Sequence, residues 1–253
     1  RAGRALGRRP TSREDLGRIR AQWPRSLSVD LIHGAPGSTE EGFLEAIELL
    51  ADLGVEHVSI YGLAVEEGTP LARDVSAGIV SIEDAYESWT AAKRMLRKAG
   101  FRRDEISNFA RPGEECEHNR TYWRGGDYYG LGPSAVSTIG AASMSVRGAG
   151  NALRLIQPTD HTAFLTRRHP FDCRREVLSE EEIRLERVML GLRTREGIPR
   201  DLLEGDAAPD AHEQRLKALE TLQRDGLILL ERDRVRATDR GMDLLDRVLT
   251  TIV

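Results

Sequence analysis

Cysteine is nearly missing from this chain: Cys116 and Cys173 are the only two among 253 residues. That excludes a disulfide framework, and their spacing excludes a CxxC metal pair, so a reducing cytoplasm is the expected compartment. Long apolar runs are also missing. None approaches the roughly 20 residues a membrane span requires, and no charged-then-apolar leader precedes one, so no integral membrane segment is expected. Charge of one sign is lacking too, because 37 basic against 41 acidic residues leave a formal net charge of −4. Such a balance offers no general attraction to nucleic acid or anionic lipid. Internal repeats and low-complexity tracts are absent. An initiator methionine is absent as well: the chain opens on Arg1, and RAGRALGRR reads as the end of a helix.

What is present is enough for one large or two small domains, with 40% hydrophobic and 31% charged residues. Thr11-x-x-Glu14 is a capping box ahead of a helix carrying Leu16, Ile19 and Trp23, which Pro24 ends. SLSVDLIH, from Ser26 to His33, reads as a strand bearing one carboxylate, Asp30. Gly34-Ala-Pro-Gly37 turns the chain, and Ser38-x-x-Glu41 caps a helix whose Phe43, Ala46, Ile47 and Leu50 share a stripe. HVSIYGLA, from His57 to Ala64, is a second buried-type strand. Strand, helix and strand with short turns make a βαβ unit, which predicts a parallel sheet with its ligand side at the strands' C-terminal ends. Asp30, Gly34 and Ala64 are expected near that edge.

Ser81-x-x-Asp84 starts a helix to Ala99, with Tyr86, Trp89 and Leu96 as core, and Gly100 stops it. Phe101 to Ile106 follows as a strand. Farther on, Ala135 to Ile139 and Ser143 to Arg147 flank Gly140 and predict a hairpin, followed by a helix around Asp160 to Arg168. From Leu178 the texture becomes helical: Ser179-x-x-Glu182 caps one helix, a second runs from about Pro209 to Arg224, and a hairpin from Gly226 to Ala237 precedes a helix capped by Thr238. This is a winged-helix outline. Its second helix mixes Glu213, Glu220 and Asp225 with Arg215, Lys217 and Arg224, so it lacks a basic face and no nucleic-acid partner is expected.

Between these halves lies Glu105 to Ser137, EISNFARPGEECEHNRTYWRGGDYYGLGPSAVS. It has little helical or strand periodicity, which leaves a functional loop or a linker, and linkers lack aromatics. His118, Asn119, Trp123 and three tyrosines form either a wall for a flat ligand or an Ω-loop packed by its own rings.

Five segments in order carry a resemblance: VDLIHGAPGST from Val29, SIYGLAVEEGTP from Ser59, EISNFARPGEECEHNRTYW from Glu105, GDYYGLGPSAVS from Gly126, and LQRDGLILL with ATDRG near the end. Together they resemble the radical S-adenosylmethionine (SAM) family of oxygen-independent coproporphyrinogen III oxidases. The match is closer to the HemW-type heme chaperones, and it covers nearly the whole chain.

The resemblance implies an α/β fold. It would comprise the C-terminal part of a partial (β/α) radical-SAM barrel over residues 1–100, a family-specific sheet and loop region over 101–177, and a winged-helix-like domain over 178–253. It also implies S-adenosylmethionine and a 4Fe–4S cluster held by three cysteines of a CxxxCxxC motif. This chain has no such motif, so it is expected to ligate no metal and to be the later part of a longer protein. Exposed apolar sheet edges would make it behave poorly alone.

Carried over by position, Arg8 would pair with the S-adenosylmethionine carboxylate, Asp30 would bond the nucleoside, and Ala64 and Val136 would touch the adenine. The residues themselves also allow a solvated Arg8, a structural Asp30 carboxylate, and simple core for Ala64 and Val136. Many HemW-type relatives carry histidine where Val136 stands. The family links the position of His118 with heme, as an axial imidazole backed by Tyr122 and Trp123; the alternative is an imidazole that donates to a loop carbonyl. His33 and His57 are expected to be structural, and Cys116 either a second ligand or an exposed thiol. The implied function is a heme chaperone that passes heme or a porphyrin to acceptor hemoproteins. The alternatives are radical decarboxylation of coproporphyrinogen III and, third, nucleic-acid binding by the winged helix.

Overall fold

The computed structural model describes residues 12–80, 86–140, 152–169, 172–204 and 209–252. The chain divides into two compact units, Arg1–Cys116 and Glu117–Val253.

In the first unit, helix α1 (Arg13–Gln22) is capped by Ser12, whose hydroxyl accepts from the Asp15 amide while Asp15 accepts from the Ser12 amide. The box therefore sits one residue after the Thr11–Glu14 pair expected from sequence; Thr11 lies outside the described residues. Strand β1 (Ser28–His33) alternates, with Ser28, Asp30 and Ile32 exposed and Val29, Leu31 and His33 turned inward. Thr39, not Ser38, caps helix α2 (Glu40–Asp52), accepting from the Gly42 amide at 3.1 Å. Phe43, Ile47 and Leu50 are the buried stripe of α2.

Strand β2 (His57–Gly62) runs parallel to β1, with Asp30 opposite Ser59, as the βαβ pattern predicts. After helix α3 (Pro70–Ser76), capped by Thr69, comes helix α4 (Tyr86–Lys98); residues 81–85, where its expected cap falls, lie outside the described residues. Ala92 and Leu96 of α4 meet Phe43, Ile47, Leu50, Val58 and Ile60 in one core, and Trp89 packs against its edge.

The sheet is not wholly parallel. Short strands β3 (Arg102–Arg103) and β4 (Asn108–Ala110) form a hairpin that adds antiparallel to β2, in the order β1-β2-β4-β3. Phe101 to Ile106 thus does not continue as one strand. The Arg103 guanidinium donates twice to the Ile106 carbonyl, at 3.0 and 2.7 Å, and Glu105 accepts from the Ser107 amide, so side chains close the turn. Among the described residues the sheet stays open and closes no barrel.

The second unit begins with helix α5 (Glu117–Trp123), inside the stretch read as irregular. Strand β5 (Val136–Gly140) pairs antiparallel with β6 (Ala152–Ile156). The expected hairpin partner, Ser143 to Arg147, lies outside the described residues, and β6 takes that place. Helix α6 (His161–Thr166) is capped by Asp160, and strand β7 (Arg174–Leu178) completes a three-stranded sheet.

Helix α7 (Glu180–Gly191) starts with the expected Ser179–Glu182 capping box. Strand β8 (Ile198–Pro199), helix α8 (Asp201–Glu204), helix α9 (Pro209–Arg224), strands β9 (Ile228–Leu230) and β10 (Arg234–Ala237), and helices α10 (Asp239–Asp243) and α11 (Leu245–Ile252) follow. The strand order β8-β10-β9 gives the wing a third strand absent from the sequence reading. Leu219, Leu222, Leu227, Val235, Met242, Leu245 and Val248 are buried there. Among the described residues no helix is long and apolar enough to cross a membrane.

Candidate functional site

Alternation places the polar residues of the first unit's sheet on one face. Ser28, Asp30 and Ile32 of β1 stand opposite His57, Ser59 and Tyr61 of β2, and Ser59 in turn stands opposite Asn108 of β4. The other face carries Val29, Leu31, Val58, Ile60 and Phe109 toward the helices. Asp30 is exposed, whereas His57, Ser59 and Asn108 are buried. His57 Nδ1 shares a hydrogen bond of 2.8 Å with the Ser28 hydroxyl, and burial pushes its pKa down, opposed in part by Asp30. Its Nε2 and the Asn108 Oδ1 are buried and have no hydrogen-bond partner among the described residues.

Asp30 is the third of six strand residues and does not end its strand. Ala64 is exposed, just past β2, where the Leu63 amide bonds the His33 carbonyl at 2.9 Å and holds this segment beside the end of β1. An exposed carboxylate on a polar face suits nucleoside hydroxyls, and a small exposed side chain suits an adenine edge. His33 belongs to the core: its Nε2 lies 2.6 Å from the Ser88 hydroxyl and its ring 4.5 Å from that of Phe43.

The second unit holds His118 and Val136. On α5, residues 118 and 122 are one turn apart, so His118 and Tyr122 stack edge-on at 4.9 Å, with the tyrosine hydroxyl 3.3 Å from Nε2. Tyr122 meets Tyr128 at 4.6 Å, which makes a ladder of three rings. Tyr128 in turn bridges to Thr138 of β5 through reciprocal backbone bonds of 3.0 Å, and the Thr138 hydroxyl donates to its phenol oxygen. Val136 is half-buried, two residues before Thr138 on the same strand face. Gly130 is obligatory in the turn between: a Cβ there would lie 2.3 Å from the Val136 carbonyl oxygen. His118 is exposed, as are Tyr129 and Leu131, at 69% and 93%. Trp123 does not join the ladder. Its ring lies under the Arg193 guanidinium, 5.0 Å away.

Residues 178–244 match the model of the HemN C-terminal domain. The heme chaperone HemW of Mycobacterium tuberculosis is 32% identical over 230 residues, 90% of this chain and 55% of that protein. This chain belongs to the HemW family of radical SAM proteins. A second family relative, the mitochondrial radical S-adenosyl methionine domain-containing protein 1 of Bos taurus, is 33% identical over 98% of this chain and 58% of its own length. The chain therefore spans a little over half the length of these curated relatives. Coproporphyrinogen III oxidase (HemN) from Escherichia coli, a radical SAM enzyme, shares the fold, with a TM-score of 0.74 over 99% of this chain and 61% of the other at 18% identity.

Of the positions that HemW membership brings forward, Asp30 and Ala64 lie in the first unit and His118 and Val136 in the second, while Arg8 lies outside the described residues. Cys116 and Cys173 are free thiols, both half-buried, and no group of three metal-ligating side chains occurs among the described residues. The described donor set does not fit a 4Fe–4S cluster. His57 is buried, in keeping with the structural role expected of it, whereas its buried polar neighbours Ser59 and Asn108 were not singled out in the sequence, although the alternation of SLSVDLIH already puts Ser28 and Asp30 on a separate face. Sequence reasoning also missed α5, whose seven residues are too few to give a periodic signal.

Proposed function

We propose that this chain is the heme-presenting part of a HemW-type heme chaperone, which takes up heme and passes it to acceptor hemoproteins. The observation that carries this reading is the ladder of His118, Tyr122 and Tyr128: an exposed imidazole braced by two phenol rings. A neutral imidazole is a normal axial donor to heme iron, and flat aromatic walls favour a macrocycle. Tyr122 holds the His118 ring in one orientation through the 3.3 Å contact. Heme here is cargo, held by one imidazole and released to a better ligand set.

In the full-length protein, Arg8 would contact the S-adenosylmethionine carboxylate, Asp30 its nucleoside hydroxyls and Ala64 its adenine. The 4Fe–4S cluster would be ligated by cysteines outside this chain, and it would supply electrons to the sulfonium. Hemin titration of the full protein tests the reading. His118→Ala should weaken binding by at least about tenfold, the effect of losing roughly 1.4 kcal/mol. An unchanged affinity and an unchanged Soret band would refute the ligand assignment.

A further inference from the structure

The helix that carries His118 cannot hold its place alone. It has seven residues, none of them buried, and isolated helices of that length do not persist in water. Its orientation must therefore come from what grips it.

Arg120 and Arg124, the latter one residue past the helix with its amide bonded to the Arg120 carbonyl at 2.9 Å, are one turn apart and make a stripe of their own. Each lies two positions after a ring residue, about 200° around the helix from it, so the cationic stripe is roughly opposite the His118–Tyr122 stripe. Both guanidinium groups converge on one carboxylate, that of Glu196: Arg120 Nη2 at 2.6 Å and Arg124 Nη2 at 2.7 Å. Arg120 also reaches Glu117 at 3.0 Å, beside His118 in sequence. The Arg124 hydrogen bond first, then Arg120 against the cost of burial, lowers the Glu196 pKa and keeps the carboxylate ionised.

Glu196 is itself fixed by the winged module. Arg234 of β10 donates to the Glu196 carbonyl at 2.9 Å and to the Gly197 carbonyl at 3.0 Å. Gly197 has φ 65°, and a Cβ there would lie 2.2 Å from the Val235 carbonyl oxygen, so the turn carrying Glu196 sits directly on β10.

We propose that Glu196 is a positioning residue: it latches the anchored face of α5 to the winged module and thereby sets the direction in which the opposite face presents His118. The inference rests on the heme reading above. It gives the HemN C-terminal domain a task that needs no nucleic acid, which is to hold the heme-facing helix.

The test is a double-mutant cycle in the full protein, read by hemin affinity, by the Soret band and by melting temperature. Glu196→Gln should weaken hemin binding about fivefold, the order expected for a half-exposed pair that is shared by two arginines, with the melting temperature held. Arg120→Gln with Arg124→Gln should do the same. In a His118→Ala background, Glu196→Gln should have no further effect, because the latch acts only through that imidazole. If His118→Ala weakens binding and Glu196→Gln does not, the latch is refuted and the heme reading stands. Full additivity of the two substitutions also refutes the latch. If His118→Ala leaves affinity and spectrum unchanged, both the reading and the latch fail.

Discussion

His118 and the two buried imidazoles, His33 and His57, show how one residue type takes opposite roles. His118 is exposed on a short helix and braced by Tyr122. His33 and His57 are 6% and 4% exposed, and burial lowers both pKa values from the ordinary 6.5, against a smaller opposing pull from Glu40 and Asp30 respectively. A base whose folded pKa is depressed binds fewer protons folded than unfolded. Its contribution is whole above 6.5, declines as pH falls through that value, and levels off below the folded pKa. The first unit should therefore melt at a lower temperature at pH 5 than at pH 7.5, and His33→Gln with His57→Gln should flatten that dependence. A melting temperature that is level or rising on acidification would contradict it. The structural role of His33 was readable from its place at the end of an apolar strand. The burial of His57 beside Asn108 was not, because β4 pairs antiparallel with β2 from far along the chain.

At the scale of elements, stripes and several caps were legible because they are local, whereas the caps Ser12 and Thr39 each sit one residue past the position that spacing suggested. Ser179–Glu182, Thr238 and the Phe43–Ile47–Leu50 stripe follow from spacing alone. What was not legible depends on contacts distant in sequence. The β3–β4 hairpin is closed by Arg103 and Glu105 side chains, a turn chemistry that Phe101 to Ile106 does not advertise. Helix α5 spans under two turns between glycine-containing segments, too short for a periodic signal, and its anchor at Glu196 lies 72 positions beyond Arg124. The wing's third strand, Ile198–Pro199, is equally brief. Gly197, just before it, supplies a sharp test. Gly197→Ala forces a Cβ to within 2.2 Å of the Val235 carbonyl oxygen at φ 65°. It should destabilise the second unit by about 2 kcal/mol or more in urea unfolding. A loss under about 0.5 kcal/mol would mean that the β8–β10 contact is looser than described.

At the scale of the whole molecule, the family was legible because five segments fall in the family's order over nearly the whole chain, and relatives at 32% and 33% identity bear it out. Asp30 and Ala64 lie in the first unit and Val136 and His118 in the second. The cofactor division leads to a direct expectation. With Cys116 and Cys173 as its only thiols, the 253-residue chain treated anaerobically with iron and sulfide should acquire no stoichiometric cluster or cluster absorbance. Four irons and four sulfides per chain would overturn the reading that this chain ligates no cluster.

The most direct test of the central claim is the ferric heme spectrum of the full protein, recorded with His118 and with His118→Ala at saturating protein. Axial ligation by His118 predicts an imidazole-ligated spectrum that His118→Ala abolishes while the fold is kept. The same spectrum from both proteins would show that another residue holds the iron and that His118 is not the ligand.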